Sequence, residues 1–338
     1  MSMAYLNRRA LQLPPGHPPV LTVVIDTEEE FDWHAPFDRE ETSVEAMAHI
    51  GRAQELFEEY GIRPTYVVDF PVASQEPGYR LLREYAAEGR ATIGAHLHPW
   101  VSPPHEEEVG PYNSYPGNLP ADLERRKLIR LVEEIEANLG VRPVVYKAGR
   151  YGFGANTTGL LDDLGFQMDL SPCAGFDLRG DGGPDWSETP PDPFCFGEQG
   201  RLVCLPTTGA FVGWLSGAAP ALYRTSLRPP LRWFRTPGIL SHLGALERLM
   251  LSPEGYTPEH QKRLTQALLS RDQRILTFSF HSPSMMPGHT PYVRTESDLK
   301  EFLAACRQYF DFFFDELQGA TMGTLELRQI LLDPPAST

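Results

Sequence analysis

Runs of almost continuously apolar residues alternate along this chain with segments whose apolar positions recur every three or four residues, and the alternation repeats from residue 21 almost to the end. Leu21 to Asp26 predicts a buried strand, and Ser43 to Gly61 predicts a helix with Thr42 and Glu45 at capping-box spacing and Gly61 as its stop. The pattern continues with a strand at Arg63 to Phe70, a helix at Glu76 to Gly89, a strand at Ala91 to His98 and a strong helix at Ala121 to Gly140. A strand at Pro143 to Ala148, a short helix at Thr157 to Leu164 and strands at Phe166 to Leu170 and Arg201 to Leu205 come next. Late in the chain lie a helix at Pro258 to Arg271, a strand at Ile275 to Phe280, a helix at Thr295 to Gln318 and a short strand near Met322. YGIRPTYVV and LGVRPVVY repeat one local order: helix stop, proline, strand. Repeated βα units with apolar strands predict an α/β fold, a parallel sheet covered by helices, and about eight units suggest a barrel.

Residues 1–20 read as a proline-rich lead-in, and 21–338 as a single barrel domain with insertions at about 173–200 and 209–257. The second insertion carries Arg224, Arg228, Arg232 and Arg235, which suit either a site for an anionic substrate or, preferably, an arginine-decorated lid or packing segment. With 41% hydrophobic and 22% charged residues in 338, the chain is expected to fold as a globular protein. A net charge of −15 opposes a general role on nucleic acid or an anionic membrane and favours a small neutral or cationic partner. The first residues hold no apolar signal core, and the longest uncharged run, Thr207 to Tyr223, is broken by Gly and Pro, so a cytoplasmic location without membrane insertion is expected. Cys173, Cys195, Cys204 and Cys306 lack ligand or disulfide spacing and read as core residues. The sequence does not set the oligomeric state.

In a parallel barrel, functional groups gather at the carboxyl ends of the strands. The polar residues here fall at those ends: Asp26 and Glu28 on the first, His96 and His98 on the third, Lys147 and Arg150 at the fourth, Asp169 on the fifth, Thr207 and Thr208 after the sixth, and His281 on the seventh. His96 and His98 are two apart, so both imidazoles share one face of a strand, and Asp26 and Glu28 have the same spacing. Such a set suits zinc or another divalent first-row metal, the alternative being one histidine satisfied in a buried polar layer. Asp26 at the end of an apolar strand needs a cation or a hydrogen-bond network. Arg150 is the expected fixed cation for it, and a salt bridge elsewhere is the alternative. Glu29, Glu30 and Asp32 read as solvated or helix-capping, with no catalytic role.

In VVIDTEEEFDW, IGAHLHPW, KAGRYGFG, GFQMDLS and FSFHSPSM, in that order from Leu21 to about Tyr292, the chain resembles the polysaccharide deacetylases with a NodB-homology domain, most of all their WalW-like branch. The resemblance implies a distorted (β/α)7-8 barrel and metal-dependent hydrolysis that removes an acetyl group from the amide of an amino sugar or a related carbohydrate. By position, Asp26 matches the catalytic base, Glu28 the metal-binding acid, His96 the first metal histidine, Arg150 the residue orienting the base, His281 the general acid, and Asp169 a supporting acid behind it. Tyr151 would lend its backbone N–H to an oxyanion hole. The usual second histidine stands four residues after the first, where this chain has Trp100. His98 is expected to replace it, and the metal implied is zinc, with cobalt, nickel or manganese as alternatives. Trp33, Trp100 and Tyr115 are expected to offer flat faces to a sugar, and the substrate to be a carbohydrate or a small amide. The competing readings are a metal-independent or other small-amide hydrolase of the same fold, a catalytically silent sugar-binding barrel, and a barrel phosphoesterase using the insertion arginines.

Overall fold

The computed structural model describes residues 5, 7–216 and 245–333. Its strands are β1 (Arg9–Ala10), β2 (Val20–Thr27), β3 (Thr65–Val68), β4 (Thr92–Leu97), β5 (Val145–Ala148), β6 (Met168–Asp169), β7 (Phe194–Phe196), β8 (Leu202–Cys204), β9 (Gly209–Val212), β10 (Glu247–Met250), β11 (Ile275–His281) and β12 (Ala320–Thr321). Its α-helices are α1 (Gly51–Glu59), α2 (Phe70–Ser74), α3 (Glu76–Ala87), α4 (Ala121–Leu139), α5 (Thr157–Leu164), α6 (Pro258–Leu269), α7 (Glu296–Asp311) and α8 (Thr324–Leu332). Parallel pairing runs through β8, β6, β5, β4, β3, β2 and β11, with β7 and β1 added antiparallel beyond β8.

The two ends of this parallel run are joined by a loop rather than by strand pairing. Leu251, just after β10, donates its N–H to the Thr208 carbonyl (2.9 Å) and accepts from the Ser279 N–H of β11 (3.2 Å). The Thr277 N–H also reaches Thr208 Oγ1 at 2.8 Å. The architecture is therefore a distorted (β/α) barrel with a stitched seam, as the alternation of elements predicts.

Strand parity sorts the side chains. Leu21, Val23, Ile25, Ile93, Ala95, Leu97, Tyr146 and Ala148 pack in the large core that also holds helix residues such as Phe57, Leu131 and Phe310. Val20, Val24, Val67, Val145, Met168 and Val203 form a second, inner cluster, joined by Leu327 and Leu331 of α8. The inward positions at the carboxyl ends are left to polar groups. Gly94 faces this crowded interior, where an added Cβ would stand 2.9 Å from both the Val145 carbonyl and Val67 Cγ1.

Three expectations need correction. The first helix does not begin with a Thr42–Glu45 capping box: a 3₁₀ turn, Glu45–His49, precedes α1, and Glu30 from the sequence-distant strand end accepts the Ala46 N–H instead. The last long helix ends in a π segment, Phe312–Glu316. Residues 173–200 and 209–257 supply β7 and the antiparallel β9–β10 pair, short strands the pattern did not predict. Arg224, Arg228, Arg232 and Arg235 lie outside the described residues. Among the described residues no helix is long and apolar enough to cross a membrane, and the four cysteines are buried and free.

Candidate active site at the carboxyl ends of the strands

Register brings the polar residues together. His281 of β11 lies opposite Asp26 of β2, and His96 of β4 opposite Lys147 of β5. Asp26 is buried, and both its oxygens accept from Lys147 Nζ, at 2.6 and 2.7 Å. Burial would raise this carboxyl, but the Lys147 charge, with His96 and His281, outweighs it and holds Asp26 at about 2. Asp26 is a carboxylate at any physiological pH.

His96 and His98 both project from β4 and its end toward Glu28. The ring nitrogen Nδ1 of His96 donates to the Lys147 carbonyl (3.0 Å), which leaves Nε2 as the lone-pair nitrogen. His96 Nε2 and His98 Nε2 lie 3.5 and 3.4 Å from Glu28 Oε2. Burial lowers both histidines, His98 to about 4, so they are neutral, as metal ligands must be. Two ligands at about 2.1 Å from one tetrahedral ion stand about 3.4 Å apart. The spacing of Glu28, His96 and His98 therefore fits a divalent ion, and Glu28 Oε1, buried with no hydrogen-bond partner, is a further free donor. Charge points the same way. Asp26, Glu28 and Glu254 are buried on this floor and Glu29 and Asp69 beside His98, against Lys147, His281 and, at the wall, Arg150 as cations. Burial pushes Glu28, Glu29 and Asp69 up, Glu29 to about 8.

His281 faces Asp26 from the other side, its Nε2 3.7 Å from Oδ2. Its Nδ1 bonds Glu254 Oε2 at 2.6 Å, and its N–H donates to Glu254 Oε1 at 3.1 Å. Burial disfavours the imidazolium, but Glu254 first, then Glu28 and Asp26, raise it to about 10. The site thus holds a carboxylate and an imidazolium side by side at neutral pH.

These groups form the floor of a cavity of about 410 Å³ walled by Phe31, Trp33, Phe37, Trp100, Tyr115, Phe176, Leu178, Met250 and Tyr292. A larger open depression adjoins it past Phe31 and Trp33 and contains none of the metal-ligand set. Trp33 sets its ring edge-on to His281, centroids 5.1 Å apart. Trp100 is fully buried and stacks on His98 at 4.3 Å, and Tyr115 is buried with its hydroxyl donating to Asp181 at 2.7 Å.

Arg150 does not reach Asp26. It turns to Ser114 Oγ (2.6 Å) and Asp181, over the ring of Tyr115, because it stands past the end of β5 in a left-handed conformation (φ 53°), while Lys147 sits on the inward parity of the strand. Tyr151, also left-handed (φ 60°), lines the cavity with its carbonyl held by Trp186 Nε1. Asp169 does not contact His281: its carboxylate accepts from Ser171 and Tyr5, so Glu254 occupies the supporting position. Glu29 is not solvated but wholly buried against His98, while Glu30 caps the 3₁₀ turn and Asp32 is exposed. Strand parity was the signal that could have selected Lys147. Glu254 lies in an insertion flank, where no local pattern marks it.

No family model matches the chain, and no curated protein matches it in sequence. Solved structures match its fold. One described as a "putative polysaccharide deacetylase from Mycobacterium smegmatis" aligns with a TM-score of 0.51 at 18% identity, over 97% of this chain and 99% of that one. The Puue allantoinase aligns with a TM-score of 0.55 at 15% identity, over 96% and 94%. The fold is polysaccharide deacetylase-like.

Proposed function

We propose that this chain, with its polysaccharide deacetylase-like fold, is a metal-dependent hydrolase that removes an acyl group, acetyl in the simplest case, from the amide of an amino sugar or related carbohydrate. The observation that carries the reading is the meeting of an ionised Asp26, a Glu28–His96–His98 ligand set and a protonated His281 on the floor of one aromatic cavity. Glu28, His96 and His98 would hold the ion, zinc being the best match to two imidazoles and a carboxylate. When bound, a divalent ion there polarises the amide carbonyl and lowers the pKa of water.

The protein groups divide the remaining work. Asp26, kept ionised by Lys147, accepts the proton of the attacking water. His281, kept protonated by Glu254, gives a proton to the departing amine. Tyr151 lines the cavity, and its backbone N–H would be the donor to the oxyanion, a contribution of about 3 kcal/mol where it operates. Trp33 and Tyr292 are the rings left open enough to present an apolar face to a sugar, whereas Trp100, stacked on His98, and Tyr115, covered by Arg150, are buried and serve as packing behind the wall, contrary to the expectation from sequence. Arg150, paired with Asp181 at the wall, belongs with substrate contacts rather than with the base.

The test is acetate release by the zinc-loaded full chain from N-acetylated amino sugars and their short oligomers, with phosphate monoesters and allantoin as parallel substrates. Acetate release abolished by Asp26→Asn supports the reading. Phosphate release without acetate release would replace it with a phosphoesterase, and turnover of allantoin alone would move it to small cyclic amides.

A further inference from the structure

Glu29 follows the metal-ligand acid in the chain, yet it does not line the cavity. It is fully buried, and its Oε2 lies 2.8 Å from Nδ1 of His98. It is itself anchored: its N–H donates to Asp69 Oδ2 at 2.8 Å, and Asp69 Oδ1 accepts the Val72 N–H at the start of α2. The His98 ring is restrained on its other sides. Trp100 stacks on one face at 4.3 Å and 24°, and Gly149 approaches the edge so closely that an added Cβ would stand 2.5 Å from Cδ2. Ring position is therefore fixed by packing. Which nitrogen carries the proton is not, and only one choice leaves Nε2 free to face Glu28.

We infer that Glu29, braced by Asp69, is a positioning residue for His98: by accepting the Nδ1 proton it keeps Nε2 unprotonated and aimed at the ion beside Glu28. The inference rests on the metal-dependent reading above. His96 has the matching device in the Lys147 carbonyl, so both imidazoles present Nε2 through a hydrogen bond at the far nitrogen. The second group able to surround an ion, Glu29, Asp69 and His98, shares His98 through Nδ1 and so competes with this arrangement.

The experiment is titration of the metal-free full chain with zinc by calorimetry, and with cobalt by its visible absorption. Wild type, His96→Ala, His98→Ala, Glu29→Gln and Asp69→Asn are compared, folding of each being checked by circular dichroism. Wild type should bind one ion. Glu29→Gln should weaken zinc binding by about 10- to 100-fold while keeping one site. In the metal-free wild type, nitrogen-15 NMR should show His98 protonated at Nδ1, with that preference reduced in Glu29→Gln. Unchanged affinity and tautomer in a folded Glu29→Gln would overturn the inference and leave the metal site standing. Two ions per wild-type chain would also overturn it, making Glu29 and Asp69 ligands. Wild type binding no ion would instead remove the metal-dependent reading, and with it this role. If Glu29→Gln does not fold, Asp69→Asn, which keeps an acceptor for α2 but loses the carboxyl group that accepts the Glu29 N–H, should show a smaller loss in the same direction, and no loss would count against the inference.

Discussion

A buried carboxylate must meet a cation, and at Asp26 that cation is a lysine three residues before the arginine that the motif suggests. Lys147→Met should therefore leave Asp26 buried without its partner and raise its pKa, moving the acidic limb of kcat/KM to higher pH and lowering kcat at pH 7 by about 100-fold. Steady-state kinetics check it: Arg150→Met should act mainly on KM, and a reversal of the two effects would restore Arg150 to the base. Glu254 gives a second test at this scale. His281 is protonated below about 10, and the proposed acid works only while protonated, so activity is lost as pH rises through that value. Glu254→Gln removes the carboxylate at 2.6 Å and should shift the alkaline limb toward the ordinary histidine range, by more than one pH unit. A bound cation lowers both limits without reversing the direction, and an unshifted limb would show that another group titrates.

At the scale of elements, α4 and α5 are joined by a buried carboxyl. Glu124 of α4 accepts from Thr157 Oγ1 at the start of α5 (2.6 Å), and Thr157 Oγ1 in turn accepts the Gly154 N–H. Burial raises Glu124 to about 7, and its Oε2 has no partner. A carboxyl whose folded pKa exceeds its unfolded value favours the fold below the unfolded value, and that contribution declines as pH rises through the folded pKa. The window here is about 4.5 to 7. Glu124→Gln should therefore change little at pH 4.5 and stabilise the protein at pH 8, by up to the order of 3 kcal/mol. Denaturant melts at the two pH values decide it; equal effects at both would mean that Glu124 is ionised in the folded state or not titrating at all. The long helices α6 and α7 begin where local chemistry marks a start, at the Thr257–His260 and Thr295–Asp298 capping boxes.

Across the whole molecule, the ligand set ties β2 to β4 over the intervening β3, so an ion bound there links segments 68 or more residues apart in sequence, from Glu28 to His96. Binding only to the folded chain stabilises it by mass action, about 2.7 kcal/mol at a free zinc concentration 100 times Kd. Zinc should raise the thermal midpoint of the wild type and not of His96→Ala, and chelation should reverse the rise. A shift of equal size in His96→Ala would place the ion elsewhere.

Much of this was legible in the chain. Periodicity of apolar residues determined the order of strands and helices, since burial on two faces leaves a parallel strand few polar positions, and it put Asp26, Glu28, His96, His98, Lys147 and His281 at strand ends. Two-residue spacing placed His96 and His98 on one face because a strand alternates its side chains. Pairing across space was decided only by the tertiary structure. Register set Lys147 rather than Arg150 against Asp26, the turn after β5 sent Arg150 to Asp181, and the loop that stitches the barrel seam brought Glu254 to His281 in place of Asp169. Glu29 read as one more charge in an acidic run, and only its approach to His98, beyond the end of β4, and to Asp69, ahead of α2, buried it. Local pattern reports which face a residue takes, whereas the partner it finds there depends on contacts between segments remote in sequence, to which periodicity is blind.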